Sequence, residues 1–369
     1  MNLAFVLFKY FPYGGLQRDM LRIAEACRDR GHRVQIQTME WRGERPPGID
    51  IQVLPGQGLT NHARYARFHR QLPALWMEQG IQRVVGFNKM PGLDWYYAAD
   101  PCLRDRLLRE RDPLTRRLPR YRHFLEWEAA VFGRHSRTRV LLISPRQEAI
   151  YRRHYQTDPE RLVMLPPGIQ HDRRAGPDAA ELRAGLRAEF GIGDDEFLVL
   201  CIGSGFRTKG LDRSLRALAA LPEGLRRRTR LIAIGSDNAE PFRRLARRLG
   251  VAERFQVLSG RDDIPRFLQG GDLLLHPAYH ENSGMVLLEA IVAGLPVLTT
   301  EVCGYAFYVE QAEAGKVVPE PFEQRVLDQA LAEMLESPER ARWRENGIRF
   351  GQTQDLYGMV DHAVEQILS

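Results

Sequence analysis

The feature that most constrains this chain is strand–helix alternation that runs twice along it. Apolar segments at residues 3–8, 34–38, 83–87 and 140–144 are separated by helical periods. Between the first two, Leu16, Met20, Ile23, Ala24 and Cys27 recur at helical spacing, and Gly31 stops the helix. A second series at 198–203, 231–235, 255–258, 273–277 and 296–300 follows, with arginine-rich helical stretches such as 242–249 between. Strands that alternate with helices build parallel sheets covered on both faces. Leu165-Pro166-Pro167-Gly168 and the polar stretch to Gly176 interrupt the pattern, as an interdomain linker does. The predicted fold class is therefore α/β, with two Rossmann-like doubly wound domains facing a central cleft. Residues 1–168 form the first domain, 169–176 the linker and 177–351 the second. Open α/β sheets bind ligands beyond the carboxyl ends of their strands, so those ends are expected to line the cleft.

Composition narrows the classes. A length of 369 residues suits two domains, and 44% hydrophobic residues are ample for two cores. The formal charge of +6 permits an anionic partner without naming one. Cys27, Cys102, Cys201 and Cys303 form no CxxC pair, which argues against a disulfide framework or zinc site and for a reducing cytosol. The apolar start at residues 3–8 has no basic region before it and no small-residue cleavage site after it, so a buried first strand is expected rather than a signal peptide. No uncharged apolar stretch reaches the roughly 18 residues that span a bilayer, so any membrane contact is expected to be peripheral.

Residues 276–297, HPAYHENSGMVLLEAIVAGLPV, carry the chemistry. A strand ends at Pro277, a short loop holds Glu281, a helix starts near Ser283 as N-cap, and the next strand starts at Pro296. The open N–H groups of Ser283, Gly284, Met285 and Val286, with the positive end of the helix dipole, suit a diphosphate. Glu289 lies about 7.5 Å along the helix, where its carboxylate accepts two hydrogen bonds from a ribose diol. Glu281 lies before the helix, where the sugar would hang. Val286, Leu287, Leu288, Ala290 and Ile291 bury this helix, so an unpaired Glu289 would be costly. A hydrolase using both carboxylates needs them roughly 5 to 9.5 Å apart; eight helical positions span about 12 Å.

A second phosphate-facing feature is Gly203-Ser204-Gly205-Phe206-Arg207-Thr208-Lys209-Gly210, directly after a strand. Glycines let backbone approach phosphate, and Lys209 and Arg207 supply charge. In the first domain, Gly14-Gly15 closes the first strand and lets the diphosphate approach the backbone. Asp19 either binds acceptor hydroxyls or complements the helix dipole in the first turn. Residues 87–94 and 99–101 follow another strand and are expected to line the acceptor side. Within 103–123, Arg104, Arg109, Arg116, Arg117 and Arg120 are interleaved with leucines. Such a segment lies on anionic lipid, grips acceptor phosphate, or is an ordinary solvated face.

The strings KYFPYGGLQRD, VVGFNKMPGLD, HYQTDPERL, LPPGI, LLLHPAY, VLLEAI, AGLPVLTT, VCGY and TQDLY span nearly the whole chain. With the Glu-x7-Glu pair, they resemble the lipopolysaccharide core heptose glucosyltransferase I group of the family-4 retaining glycosyltransferases. The resemblance implies a GT-B fold, with residues 352–369 crossing back to the first domain. It implies transfer of a hexose from a UDP-sugar, UDP-glucose favoured, to an inner-core heptose on lipid A, with retention. Glu281 would contact sugar hydroxyls and Glu289 the ribose. Arg261, in Gly260-Arg261-Asp262-Asp263, would lie beside the base and stack on it, unless that loop is a plain connection. Asp100 would sit beside the reacting carbon.

Two departures stand out. Ser204 occupies the position of a family arginine, which leaves Arg207 as its substitute. The loop His280-Glu281-Asn282-Ser283 touches the sugar, so an N-acetylhexosamine donor is an alternative. The family reacts on one face, with the leaving diphosphate taking the acceptor proton, so orientation and charge carry the rate. No Asp-x-Asp pair stands in a suitable loop, so no metal and no cofactor is expected. The expected location is the cytoplasmic face of the inner membrane, peripherally, on its anionic surface. A GT-B epimerase is the rival enzyme. A secreted sugar-binding protein lacks its signal peptide. A nucleic-acid partner is not expected, because the arginines cluster without aromatic stacking strips or a known module.

Overall fold

The computed structural model describes residues 1–12 and 14–369; Tyr13, in the turn motif after the first strand, lies outside the described residues. The chain divides into two compact units, Met1–Pro166 with Gly358–Ser369, and Pro167–Tyr357.

The first unit contains β1 (Asn2–Val6), β2 (Lys9–Tyr10), β3 (Arg33–Thr38), β4 (Glu40–Trp41), β5 (Asp50–Val53), β6 (Arg83–Gly86), β7 (Trp95–Ala98), β8 (Arg139–Leu142) and β9 (Leu162–Met164). Seven of them form one parallel sheet in the order β5-β3-β1-β6-β7-β8-β9, and β2 pairs with β4. Alternate side chains of β1 feed two cores. Leu3 and Phe5 pack with Met20, Ile23, Val364 and Ile367, whereas Ala4 and Val6 pack with Phe68, Tyr96, Trp127 and Phe132. Two-faced burial is what makes the strands of a doubly wound sheet read as continuous apolar runs. The closing helix Met359–Leu368 belongs to this unit and buries Met359, Ala363, Val364 and Ile367.

The second unit contains β10 (Phe197–Ile202), β11 (Thr229–Ile234), β12 (Phe255–Leu258), β13 (Leu273–His276), β14 (Val297–Thr300) and β15 (Gly315–Val318), parallel in the order β12-β11-β10-β13-β14-β15. Here too the faces divide. Leu198 and Leu200 join one core, and Val199 joins another with Leu215, Leu218 and Leu331. The order reverses beside β10, between β11 and β13. The loops after β10 and β13 therefore flank the switch point of the sheet, where ligands of open α/β sheets bind.

The helix Met285–Val292 is held by close approach of a neighbour. A Cβ on Gly347 would meet the Ile291 carbonyl oxygen at 2.4 Å, and one on Gly351 would meet Cγ1 of Val292 at 2.7 Å. The two glycines stand four residues apart on the helix Arg340–Thr353 and form one small-residue face. Leu287, Leu288, Ala290 and Ile291 are fully buried, each stabilising the unit by roughly 1 to 3 kcal/mol.

Two expected boundaries are corrected. Residues 169–176 do not form a free linker. Ile169 is buried and donates to the Leu356 carbonyl at 3.1 Å, Arg173 is buried, and Ala175 donates to the Val292 carbonyl at 3.1 Å. The prolines and glycines punctuate the chain there, but satisfied backbone groups tie it to the second unit. Residues 352–357 also belong to the second unit. Leu356 lies in its core, and the Tyr357 ring stacks on His171 at 4.2 Å.

Candidate functional site

The site grows from the end of β13. Beyond His276, Tyr279 donates its N–H to the Thr208 carbonyl at 2.8 Å. A Cβ on Gly210 would meet the Pro277 carbonyl oxygen at 2.0 Å. Only glycine permits that approach, and the residue also adopts a positive φ of 75°. The 203–210 loop and the 277–281 loop are thereby locked together, which brings Lys209 to Glu281. Arg213 reinforces the junction. Its guanidinium lies between the Tyr279 and Phe322 rings, 3.6 Å from each centroid, and donates to the Pro277 and Ala278 carbonyls at 3.2 and 2.9 Å.

Lys209 Nζ forms an ion pair with Glu281 Oε2. The same oxygen lies 3.3 Å from Nε2 of His276, a side chain only 1% exposed. Burial, with Lys209 as a secondary cause, holds the His276 imidazole down to about 3, so it is neutral. Burial also pushes the Lys209 ammonium down to about 8. The Glu281 carboxylate therefore has a cation on one side and a neutral ring donor on the other.

The helix begins differently from expectation. Ser283 is not its N-cap. The cap is Gly284, in a left-handed conformation with φ 85°, and no side chain caps the helix. A Cβ at Gly284 would crowd Glu281 Cγ at 3.3 Å and Leu287 Cδ1 at 3.2 Å, so glycine suits both the turn and the packing. Met285 and Val286 in the first turn are partly exposed, at the end of the helix where backbone N–H groups lack intrahelical acceptors. Glu289 is the fifth residue, about 6 Å from the first. It is buried and lies 3.5 Å from Nε of Arg173. The expectation that Glu289 is costly unless a ligand pairs with it is thus revised, because Arg173 from the 169–176 segment supplies a charge.

In the loop after β10, Ser204 accepts from the Ser236 N–H at 3.0 Å, and Phe206 N–H donates to Asp237 at 2.9 Å. Arg207 is exposed; its carbonyl accepts from the Gly210 N–H at 3.2 Å, and its guanidinium has no hydrogen bond or ion pair among the described residues. Arg261 is engaged. It makes a bidentate pair with Asp263 at 2.6 and 2.8 Å, and its guanidinium lies 5.0 Å from the centroid of the Phe267 ring.

In the first unit, Gly14 caps the helix Gly15–Asp29, and a Cβ on Gly15 would meet nothing within 4 Å. Asp19 is not in the first turn and does not complement the dipole there. It is the fifth helical residue, buried, and accepts from the Tyr97 hydroxyl at 2.9 Å. Asp100 follows β7 and is exposed, and its carbonyl accepts from the Tyr151 hydroxyl at 3.0 Å.

The arginine-rich segment forms the helices Leu103–Glu110, Pro113–Arg116 and the start of Pro119–Phe132. Arg104 lies 5.6 Å from the Tyr155 ring centroid, Arg109 pairs with Asp105 at 2.8 Å, and Arg116 donates to the Arg111 and Leu108 carbonyls. Arg117 and Arg120 are exposed beside Leu114, 75% exposed, and Leu118, 42% exposed. The buried Glu128 anchors the segment. It accepts from Lys89 Nζ at 2.5 Å, from the Leu103 and Arg104 N–H groups at 2.7 and 2.9 Å, and from the Tyr155 hydroxyl at 2.7 Å.

His276, Arg173 and Glu128 escaped the sequence reading. A histidine at the end of an apolar strand reads as core, and nothing in the spacing links Arg173 to Glu289. No group of three or more acidic, histidine or cysteine side chains suited to a metal occurs among the described residues.

The family model described as glycosyl transferases group 1 matches residues 183–350, and that described as glycosyltransferase family 4 matches residues 13–173. The lipopolysaccharide glucosyltransferase WaaG of Escherichia coli K12 is 45% identical over 368 residues, covering 100% of this chain and 98% of its own. This chain belongs to the WaaG family of glycosyltransferases. As a member it shares the family's two-domain GT-B fold. A crystal structure of WaaG superposes with a TM-score of 0.95 at 44% identity, covering 99% of each chain. The fold reaches further. Anabaena HepE, solved in complex with UDP and glucose, superposes at a TM-score of 0.77 and 18% identity, covering 100% of this chain and 99% of its own. The D-inositol 3-phosphate glycosyltransferase of Streptomyces scabiei is 33% identical over 177 residues, covering 45% of this chain and 39% of its own.

Proposed function

We propose that this glycosyltransferase moves glucose from UDP-glucose to an inner-core heptose of lipopolysaccharide, with retention of configuration. The observation that carries the reading is the join of Lys209 to Glu281 at the start of the Met285–Val292 helix, in a chain aligned end to end with a lipopolysaccharide glucosyltransferase. In this reading the diphosphate takes the N–H groups of Ser283, Gly284, Met285 and Val286 and the charge of Lys209. Arg207 closes from solvent where the Ser204 position lacks an arginine. Glu289 accepts from the ribose diol, with Arg173 holding its carboxylate. Arg261, fixed by Asp263, packs beside the base. Glu281 accepts from sugar hydroxyls.

The departing diphosphate accumulates negative charge as the glycosidic bond breaks, and preformed N–H groups and an ammonium stabilise it most where charge develops. The acceptor proton passes to that diphosphate. To the first unit we assign acceptor recognition by Asp19 and Asp100. The exposed Arg117 and Arg120 beside Leu114 and Leu118, with Arg104, Arg109 and Arg116 on the same segment, support contact with anionic lipid at the cytoplasmic face of the inner membrane. No helix among the described residues is long and apolar enough to cross a membrane.

The test is a transfer assay with a panel of UDP-sugars on heptose-terminated core, with and without EDTA. UDP-glucose should be the best donor, the product should be the α-glucoside, and EDTA should leave the rate unchanged. Preference for a UDP-N-acetylhexosamine would assign the donor to the 280–283 loop differently. Conversion of UDP-sugar without acceptor would indicate an epimerase.

A further inference from the structure

Glu281 Oε2 has two neighbours with unlike duties. One is Nζ of Lys209, on the loop that in the proposed reading also serves the diphosphate. An ammonium attracted to phosphate oxygens cannot by itself hold a carboxylate in one rotamer. The other is Nε2 of His276, at 3.3 Å. His276 ends β13, is 1% exposed, and its carbonyl accepts from Thr299 Oγ1 at 3.0 Å. The 276–281 turn is tied again where Thr300 Oγ1 donates to the Ala278 carbonyl at 2.9 Å and Glu281 bridges to Cys303. The backbone that carries the ring is therefore held on both sides of the turn, and the ring itself is buried. A carboxylate only accepts, so this contact requires the proton on Nε2. Burial keeps the ring uncharged, so across neutral pH it has one proton to give.

We propose that His276 is a positioning residue that fixes the Glu281 carboxylate toward the hydroxyls of the donor sugar while Lys209 engages the diphosphate. The inference rests on the role given to Glu281 above. It assigns His276 no contact with the donor and no proton transfer. It predicts that the contribution of His276 appears only when the sugar is present.

The test compares His276→Leu, His276→Gln and Glu281→Ala in the full chain, reading kcat with UDP-glucose and the Kd of UDP by calorimetry. Losing a hydrogen bond to a charged group corresponds to about a 10- to 100-fold effect, so kcat of His276→Leu should fall by that factor. The Kd of UDP, which lacks the sugar, should stay within about twofold, a loss of binding energy too small to reflect a broken site. His276→Gln, whose amide reaches about as deep, should recover most of kcat. The double variant His276→Leu/Glu281→Ala should be no slower than Glu281→Ala, because residues that act through one another are not additive. Should His276→Leu fail to fold, Gln against Asn at the same position carries the comparison, since the shorter amide falls short of Glu281. Unchanged kcat in His276→Leu with an inactive Glu281→Ala would overturn the inference and leave the role of Glu281 standing. Parallel loss of UDP affinity and kcat without rescue by Gln would also overturn it, as a packing effect. Full turnover in Glu281→Ala would remove the role of Glu281 and the inference with it.

Discussion

Lys209 gives the sharpest expectation for pH. An ordinary lysine loses its proton near 10.4, but burial brings this one down to about 8. The cation is what the diphosphate needs, so activity should be complete well below that value and decline as pH rises through it. With half the sites uncharged at about 8, about one in eleven retains the proton one unit higher, so kcat/KM should fall about fivefold between pH 8 and 9 and approach tenfold per unit beyond. Bound diphosphate favours the ammonium and lifts its pKa, so kcat should hold its plateau to higher pH than kcat/KM. The assay is initial-rate transfer from UDP-glucose between pH 6.5 and 9.5, with Lys209→Arg in parallel. Arginine keeps its charge throughout, so the variant should lose the break near 8. A wild-type profile flat to pH 9.5, or the same break in Lys209→Arg, would refute the assignment of the titrating cation to Lys209.

Other expectations follow from single contacts. Glu289→Gln should weaken UDP binding about tenfold or more, because a charge-assisted bond becomes a neutral one; calorimetry reads it. Arg173→Met removes one partner of the buried pair with Glu289 and should destabilise the second unit by about 3 kcal/mol in chemical denaturation. Glu128→Gln leaves the partly buried Lys89 ammonium without its counterion and should cost about 3 kcal/mol in the first unit. Arg117→Glu with Arg120→Glu should release the chain from anionic vesicles, in a manner that salt mimics, with turnover on a water-soluble acceptor unaffected.

Much of the fold was legible because both sheets are buried on two faces. Residues 231–235 stand out as an apolar run and 34–38 and 255–258 as segments rich in β-branched or aromatic residues, each close to its observed strand. The strands that escaped are short or disguised. Trp95–Ala98 is a four-residue aromatic run, and Gly315–Val318 and Asp50–Val53 carry glycine or charge at sheet edges. Local composition misleads at 169–176, where prolines and glycines read as a break but a buried arginine and paired backbone hold the chain.

The site divides in the same way. The acidic pair around a helix start is visible in one dimension because strand, loop and helix are consecutive. The partners of that pair are not. Arg173 reaches Glu289 from 116 positions away and Lys209 reaches Glu281 from 72, and only the folded sheet brings such groups together. Ser283 has the side chain of a cap, but Gly284 takes the positive-φ turn that brings the chain into the helix.

A structure of the chain with UDP bound tests the central claim most directly. The diphosphate should lie within hydrogen-bond reach, about 3 Å, of Lys209 Nζ and of the N–H groups of residues 284–286, with the ribose hydroxyls on the Glu289 carboxylate. UDP seated away from the start of the Met285–Val292 helix, or a Glu289 still turned to Arg173 with the ribose elsewhere, would contradict it.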